Sequence, residues 1–328
     1  MKVGLYFDMR NPPERAVDKS RLYGFTLDMC QEAEKLGCDS IWLSEHHLFD
    51  DGYLPQPLVM AAAVAARTKR VRIGTAIVIA PLYHPAHLAE QVAIVDAISG
   101  GRLDLGLGAG YRVPEFDLFD ADITRKYTST DNCVRQLRRL WTELTPAPVQ
   151  TPVPIWMGYS GPQGARRAGL LGEGLLAIAP ALWEPYKAGL IEGGFDPATQ
   201  GRMAGGVNGW VCEDPERDWP MASAHIAAQL DSYRRHMVQG TDTPVPRPVD
   251  PERLRNRDNP KNPLDSVIFG TPQFVADRIA KATQGTPTET VFFWASIAGM
   301  SEDVVARNVH TICTKLAPVL APVQASAA

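Results

Sequence analysis

Short apolar runs that look like β-strands alternate with helix-like stretches along the whole chain of 328 residues. The run over residues 71–80 is the richest in β-branched side chains. The strand-like runs lie at residues 2–7, 40–43, 71–80, 102–107, 155–157, 174–178, 204–212 and 290–294. Strands that alternate with helices pair in parallel through right-handed crossovers. The pattern therefore predicts an α/β fold, a single (β/α)8 TIM barrel, with an open doubly wound sheet as the competing architecture.

No change of composition divides the chain, so residues 1–328 are expected to form one domain. The polar, proline-rich segment at residues 240–265, after the seventh strand, is longer than a routine connection between elements. We expect this segment to be a lid or a mobile loop. The end of the chain, residues 317–328, is expected to be a flexible tail.

Charge and composition exclude several classes of function. The formal net charge is −4 and no lysine and arginine run exceeds two residues, so no nucleic-acid partner is expected. No apolar run approaches the roughly 20 residues that span a bilayer, and Asp8 comes too early for a signal peptide. The five cysteines form no Cys-x-x-Cys pair, which is typical of reduced thiols. We therefore expect a cytoplasmic protein without a membrane partner.

The second strand ends in the sequence Glu45-His46-His47. In a TIM barrel the functional face is formed by the C-terminal ends of the strands. Histidine is suited to proton transfer near neutral pH, and a neighbouring carboxylate can fix its tautomer. We therefore predict that His46 and Glu45 are catalytic, with a structural histidine as the alternative. No further cluster of ligands completes a shell, so no metal is expected.

Glycine-bearing turns follow the fourth and fifth strands. The sequence Gly106-Leu107-Gly108-Ala109-Gly110-Tyr111-Arg112 allows close approach of a flat ligand or an anion. Its spacing differs from the Gly-x-Gly-x-x-Gly fingerprint, which argues against a Rossmann-type dehydrogenase. The sequence Gly158-Tyr159-Ser160-Gly161 precedes a helix whose N-terminus favours a phosphate. An ordinary tight turn and an ordinary helix cap remain the alternatives.

Several stretches, in this order along the chain, resemble the bacterial luciferase-like monooxygenase family. The first is Trp42-Leu43-Ser44-Glu45-His46-His47, and Arg72-Ile73-Gly74-Thr75-Ala76 follows it. Residues 99–111 form the most specific stretch, and Glu115-Phe116 comes shortly after. The stretches that resemble the family cover most of the chain.

The resemblance implies a (β/α)8 barrel that binds reduced FMN, or the deazaflavin coenzyme F420, at the C-terminal ends of the strands. It implies that His46 is catalytic. It also implies a cis peptide bond between Ala76 and Ile77, behind the isoalloxazine ring, and two turns that hold the ribityl phosphate or an equivalent tail. The cofactor-binding residues expected in these turns are Gly108, Ala109, Gly110, Tyr111, Gly158, Ser160 and Gly161.

The activity implied by the resemblance is that of an FMN-dependent monooxygenase. A separate flavin reductase would supply reduced FMN, dioxygen would add at the flavin C4a position, and His46 would transfer a proton while Glu45 orients or tunes it. The substrate is expected to be a small, fairly apolar organic molecule. The residues that suggest this are Tyr6, Phe7, Trp294 and Ile297. A homodimer is expected by resemblance alone.

One departure from the family bears on the choice of cofactor. Luciferase has an arginine for the phosphate where this chain has Ala109, and Arg112 is the candidate replacement. This weakens the case for FMN over a deazaflavin. The alternatives are therefore an F420-dependent dehydrogenase or reductase, and a non-catalytic protein that stores or senses flavin.

Overall fold

Eight parallel strands form a closed barrel with helices around it. The computed structural model describes residues 1–255 and 267–321. The strands are Lys2–Phe7 (β1), Ser40–Leu43 (β2), Arg72–Thr75 (β3), Val78–Ile79 (β4), Leu103–Gly108 (β5), Ile155–Met157 (β6), Gly174–Leu176 (β7), Met203–Val207 (β8), Gly209–Val211 (β9), Ile268–Gly270 (β10) and Thr288–Trp294 (β11). The helices are Lys19–Lys35 (α1), Pro57–Arg67 (α2), Pro85–Ser99 (α3), Val113–Leu118 (α4), Lys126–Leu140 (α5), Gly161–Leu170 (α6), Trp183–Glu192 (α7), Pro197–Gln200 (α8), Pro215–Met237 (α9), Pro272–Thr283 (α10), Glu302–Thr311 (α11) and Ala317–Leu320 (α12), and a π-helix over Ile312–Leu316 joins the last two.

The barrel closes because β1 pairs with both β2 and β11. From β11 the ring of neighbours continues through β8, β7, β6 and β5 to β3, which pairs with β2. Every pairing in the ring is parallel, as the crossover helices require. The predicted α/β class and the single TIM barrel are confirmed.

The third strand of the barrel is interrupted. β3 pairs with β2 and β5, whereas β4 pairs with β5. Between them, Ala76 and Ile77 are joined by a cis peptide bond, at the position that the resemblance implies. The prediction of one strand over residues 71–80 is wrong in this detail, because these two residues leave the ladder at the open end of the barrel.

The seventh strand also ends earlier than predicted. β8 pairs with β7 and β11, but after Asn208 the chain forms β9, which pairs with β10 in a separate parallel sheet. One strand over residues 204–212 is therefore wrong, because Gly209 and its successors leave the barrel. Gly206 is exposed although the other residues of β8 are buried, so the barrel is open at this point.

Aromatic rings fill the interior below this opening. Trp42 and Phe292 stack with their ring centroids 4.6 Å apart, and both side chains are buried. Gly74 on the neighbouring strand makes room for them, since a Cβ there would lie 2.3 Å from the Trp42 ring. Burial of a large apolar side chain stabilises a fold by about 1.5–3 kcal/mol. This level of the barrel is therefore a packed core that supports the site above it.

The lid is expected at residues 240–265, and its described part, residues 240–255, lies against α9. Val249 donates its backbone N–H to Asp231 at 2.8 Å, and Arg255 pairs with Glu216 at 2.7 Å. These contacts fix the segment along one helix as far as residue 255. Its remainder lies outside the described residues, and its role as a lid stays a prediction.

Residues 317–320, expected to belong to a flexible tail, are helical. Ala317–Leu320 forms α12, and the N-terminal amino group donates to the carbonyl of Leu320 at 3.2 Å. Residues 322–328 lie outside the described residues. No helix in residues 1–255 and 267–321 is long and apolar enough to cross a membrane. All five cysteines are buried free thiols.

Candidate active site

The loop after β2 carries three titratable side chains that point in two directions. Glu45 and His47 are buried, whereas the His46 side chain is 11% exposed. Successive side chains that leave a strand alternate between its two sides. Glu45 and His47 therefore share one side, and His46 faces the other.

Glu45 anchors the loop to β4. Its carboxylate accepts from Nε2 of His47 at 2.9 Å, from the Tyr83 hydroxyl at 2.9 Å and from the backbone N–H of Ile79 at 2.7 Å. The prediction that Glu45 orients His46 is wrong, because the alternation of side chains brings Glu45 to His47 instead.

His46 takes its carboxylate partner from α4. Glu115 Oε1 lies 2.8 Å from His46 Nδ1 and accepts the backbone N–H of His47 at 3.0 Å. Arg112 donates to the same oxygen from Nη1 at 3.1 Å. An ionised carboxylate only accepts hydrogen bonds, so Nδ1 of His46 carries a hydrogen. In the neutral ring, Nε2 is then an acceptor.

Glu115 is ionised although it is buried. Burial by itself raises the pKa of the carboxyl, but the bond and charge of His46, the N–H of His47 and the charge of Arg112 hold that pKa below its usual range. The Tyr111 hydroxyl lies 3.2 Å from His46 Nε2 and donates to it, since Nε2 has no hydrogen. The arrangement can take a proton at Nε2 and stabilise the cation through Glu115.

Aromatic rings enclose His46. Its ring centroid lies 4.8 Å from that of Tyr53, 5.4 Å from that of Tyr111 and 6.0 Å from that of Tyr233, with interplanar angles of 86°, 74° and 70°. Phe49 lies 4.7 Å away. These rings come from the loop after β2, the turn after β5 and α9. They hold the imidazole in place and limit the access of water to it.

Three phenol hydroxyls connect α9 to the third strand. Tyr6 donates to the carbonyl oxygen of Ala76 at 3.0 Å. Its hydroxyl lies 3.3 Å from that of Tyr53, which lies 2.6 Å from that of Tyr233. Burial raises the pKa of each of these phenols well above its usual value. All three are therefore neutral near pH 7, and each has one hydrogen to donate.

A buried layer of charges lies behind the phenols. Arg10 donates from Nε to Asp51 at 2.7 Å, and its guanidinium carbon lies 4.9 Å from the Tyr233 ring centre. Asp8 accepts the indole N–H of Trp294 at 3.2 Å. Burial raises the pKa of Asp8 to about 6, although the charge of Arg10 opposes this. The layer fixes the tyrosines that surround His46.

Ile77 occupies the space that two predicted cofactor-binding glycines leave free. A Cβ on Gly108 or on Gly158 would lie 2.6 Å from the Ile77 side chain. A Cβ on Gly110, which has a φ of 68°, would lie 2.7 Å from Ile79. These glycines let β5 and β6 pack closely against the Ala76–Ile77 bond.

The start of α6 is free on its outer side. Ser160 is exposed and makes no capping bond, and a Cβ on Gly161 would meet nothing within 4 Å. Tyr159 points inward and donates to Asp131 at 2.6 Å. The free N–H groups and the positive end of the helix dipole can hold an anion here.

Arg112 does not face this helix end. Its side chain is buried and donates to the carbonyl oxygens of His47 and His236 and to Gln239. Ala109 is buried as well. The expectation that Arg112 replaces the phosphate-binding arginine is wrong, because its nitrogens join the turn after β5 to α9.

The structure gathers the predicted residues at the C-terminal end of the barrel. Partly or fully accessible positions mark the opening there. They are His46, Ala76, Ile77, Gly110, Tyr111, Gly158, Ser160 and Gly206. Nowhere in the described ranges do three or more His, Cys, Asp or Glu side chains form a group that could hold a metal ion.

The family model described as luciferase-like monooxygenase matches residues 1–289. The chain belongs to this family. The match confirms the resemblance seen in the sequence and the expected enzyme class, a flavin-dependent oxidoreductase.

Three known proteins illustrate what this luciferase-like chain is similar to. It is 31% identical over 185 residues to the oxygenase component of flavin-dependent trigonelline monooxygenase from Acinetobacter baylyi, covering 49% of this chain and 50% of that protein. It is 31% identical over 176 residues to F420-dependent glucose-6-phosphate dehydrogenase from Amycolatopsis mediterranei, covering 47% and 53%. Monooxygenase RslO1 from Streptomyces bottropensis shares the fold with a TM-score of 0.80 at 23% identity, over 98% of this chain and 100% of that one. The chain spans about half the length of the curated relatives that it matches.

Three residues that shape the site of this luciferase-like protein have no role predicted from the sequence. Glu115 appears in the family resemblance, but nothing in the spacing connects it with His46, which lies 69 residues earlier. Tyr53 and Tyr233 come from a loop and a long helix without a motif. The available signal was weak: an acidic residue at the start of a short helix just after a strand end.

Proposed function

We propose that this protein is the oxygenating component of an FMN-dependent monooxygenase that acts on a small organic substrate. The observation that carries the proposal is the 2.8 Å contact between Glu115 Oε1 and His46 Nδ1, which leaves Nε2 of the neutral ring as the proton acceptor at the open end of the barrel. Monooxygenation of an organic molecule needs such a group to move a proton in a site that excludes water.

The residues at the opening fit a flavin. Gly206 is exposed within an otherwise buried strand, and Ala76 and Ile77 are partly exposed across the barrel from it, so a flat ring system has a surface to rest on. The free start of α6 at Ser160 and Gly161 fits a phosphate. When bound, reduced FMN supplies the electrons that activate dioxygen.

The protein's own groups would then position the substrate and handle protons. His46 takes a proton at Nε2, and Glu115 stabilises the imidazolium. The Tyr53, Tyr111 and Tyr233 rings exclude water from the reacting centre. Glu45 holds the end of β4 through the N–H of Ile79 and so helps to keep the preceding Ala76–Ile77 bond in place.

An anaerobic titration tests this function. Reduced FMN and reduced F420 are added separately to the whole protein, and binding is followed by protein fluorescence. Dioxygen consumption is then measured with the bound cofactor. The proposal predicts tight binding of FMN and consumption of dioxygen. The variant Gly206→Val should lose FMN affinity because its side chain fills the opening, whereas Gly24→Val, on the outer surface of α1, should keep it.

The second candidate is hydride transfer with F420. Two observations favour it: Arg112 is turned away from the start of α6, and several relatives carry an F420-dependent name. A hydride transfer would need no dioxygen. Binding of F420 without any affinity for FMN would establish this candidate and reject the first.

Two further parts of the proposal concern partners and turnover. We propose a separate reductase that delivers reduced FMN and a homodimer as the working unit.

A protein that only stores flavin would bind FMN equally well with and without His46. The monooxygenase should bind FMN in the His46→Asn variant but lose about 10²–10⁴-fold in the rate of substrate oxidation.

A further inference from the structure

A cavity of about 380 Å³, called the outer cavity below, lies between the start of α9, β9 and α11. Its volume is within the range of small-molecule sites. The residues that line it are Trp210, Val211, Cys212, Glu213, Arg217, Asp218, Met221, Val304, Arg307, Asn308, His310, Thr311 and Lys315. None of the described residues that mark the opening of the barrel lines this cavity. The outer cavity is therefore separate from the candidate active site.

One face of α11 forms a wall of the outer cavity. Arg307 and Thr311 follow Val304 at intervals of three and four residues, so the three side chains share that face. Asn308, in the same wall, donates from Nδ2 to the carbonyl oxygen of Trp294 at 2.9 Å. This bond holds the wall against the end of β11.

Three cationic side chains reach the outer cavity from different elements. Arg217 lies on α9, Arg307 on α11 and Lys315 on the π-helix. The described lining also holds two carboxylates, Asp218 at 2.7 Å from Arg217 and Glu213 at 3.6 Å from Lys315. With histidine neutral, the lining therefore has a surplus of one positive charge, in a chain whose net charge is −4.

Arg307 is the cation whose carboxylate partner lies outside the cavity. Its Nη1 donates to Asp303 at 2.7 Å, one turn back along α11, and the two side chains are 67% and 66% exposed. An ion pair this exposed contributes little, because water and salt screen it. The guanidinium can therefore exchange Asp303 for a carboxylate bound in the outer cavity.

The inner part of the outer cavity is apolar. Trp210, Val211 and Cys212 are buried, and Met221 and Val304 are partly buried beside them. Burial raises the pKa of the Cys212 thiol to about 12, so it is neutral near pH 7 and does not repel an anion. Such a lining suits a flat apolar group.

We propose that the outer cavity binds a small aromatic carboxylate, an inference that goes beyond the proposed function and does not depend on it. The carboxylate offsets the surplus positive charge of the lining, and a planar guanidinium can hold it through two parallel hydrogen bonds. The aromatic body fills the apolar part, against Trp210 and Met221. A neutral molecule of the same shape would lack the contact with Arg307.

Two probes of nearly the same shape test the preference for a negative charge. They are 2-naphthoate, which carries a carboxylate, and 2-naphthamide, which is neutral. Their affinities for the whole protein are measured by calorimetry at pH 7.5, with saturating FMN and without it. The inference predicts that 2-naphthoate binds about tenfold more tightly than the amide, the effect of hydrogen bonds to a charged group. FMN should not displace either probe.

Matched variants locate the site. Arg307→Gln should weaken 2-naphthoate about tenfold and change the amide little, whereas Arg307→Lys keeps the charge and should lose less. Met221→Ala should weaken both probes several-fold, because it removes apolar contact. Arg139→Gln is the control, since Arg139 forms the same kind of exposed pair with Glu143, four residues further along α5. It should change neither affinity.

Four outcomes would overturn the inference. They are no binding of 2-naphthoate, equal affinities for the two probes, an Arg307→Gln variant that behaves like Arg139→Gln, and displacement of 2-naphthoate by FMN. A failure of FMN to bind would reject the proposed function instead, and the measurements without FMN would still decide the inference.

Discussion

Glu115 Oε1 lies 2.8 Å from His46 Nδ1, and this contact determines which nitrogen of the imidazole is available for chemistry. The same carboxylate oxygen also accepts from the backbone of His47 and from Arg112. Glu115 therefore joins the loop after β2 to the turn after β5. It is a positioning residue, because it acts through His46.

The variant Glu115→Gln should lower the rate of substrate oxidation about 10–100-fold, because the imidazolium loses the charge that stabilises it. The acid limb of the pH–rate profile should shift, while FMN affinity stays within about threefold. Steady-state kinetics between pH 5 and 9 measure this. Asp117→Asn, an exposed position on the same helix, serves as the control. An unchanged profile in Glu115→Gln would show that the contact has no part in the reaction.

Replacing Glu45 should lower the stability of the fold and have less effect on the protonated state of His46. Its carboxylate is buried and accepts three hydrogen bonds, one of them from the backbone of Ile79. Glu45→Gln should lower the free energy of unfolding by about 1–3 kcal/mol. Denaturant titration measures the loss, with His46→Gln as the comparison that should cost less. Equal stability of Glu45→Gln and the unaltered protein would contradict the anchoring role.

The glycines at the ends of β5 and β6 should be required because the Ile77 side chain occupies the space beside them. Gly108→Ala places a Cβ 2.6 Å from the Ile77 side chain, so it should destabilise the fold by about 1–3 kcal/mol through overpacking. The double variant Gly108→Ala with Ile77→Ala should recover part of this loss. The coupling is measured by a double-mutant cycle in denaturant. Strictly additive losses would show that the two side chains do not share this space.

Ionisation of the Asp8 carboxyl should lower the stability of the fold as the pH rises. Its pKa is about 6 in the folded protein and 3.8 without the fold, so the folded state binds more protons between these values. The term is favourable below pH 4 and is lost by the time the pH has passed 6. The stability of the unaltered protein relative to Asp8→Asn should fall by about 2 kcal/mol between pH 4 and 7. A constant difference across this range would contradict the raised pKa of Asp8.

The alternation of apolar strand-like runs with helix-like stretches predicts the barrel, because eight parallel strands connected by helices have few other ways to pair. The same reasoning places His46 and the two turns at one end of the barrel. The breaks in the third and seventh strands were not predictable from periodicity, since residues 71–80 and 204–212 are mostly apolar and show no clear change of pattern where the strands break. Such runs show that a segment is buried and do not show where its pairing partner changes.

The hydrogen-bond partners of individual side chains also could not be predicted from the sequence. Glu45 is next to His46 along the chain, so the sequence favoured that pair. The alternation at the strand end assigns Glu45 to His47 and leaves His46 to Glu115. Arg112 is a similar case, because its direction depends on α9, which lies more than a hundred residues further along the chain.

The most direct test of the account is the protonation state of His46 by nitrogen NMR. The protein is labelled with ¹⁵N at histidine, and the His46 signals are assigned by comparison with His46→Gln. The account predicts that the neutral ring carries its hydrogen on Nδ1 and none on Nε2, and that Glu115→Gln disturbs this state. A neutral His46 with its hydrogen on Nε2 would contradict the assignment of Nε2 as the proton acceptor of the site.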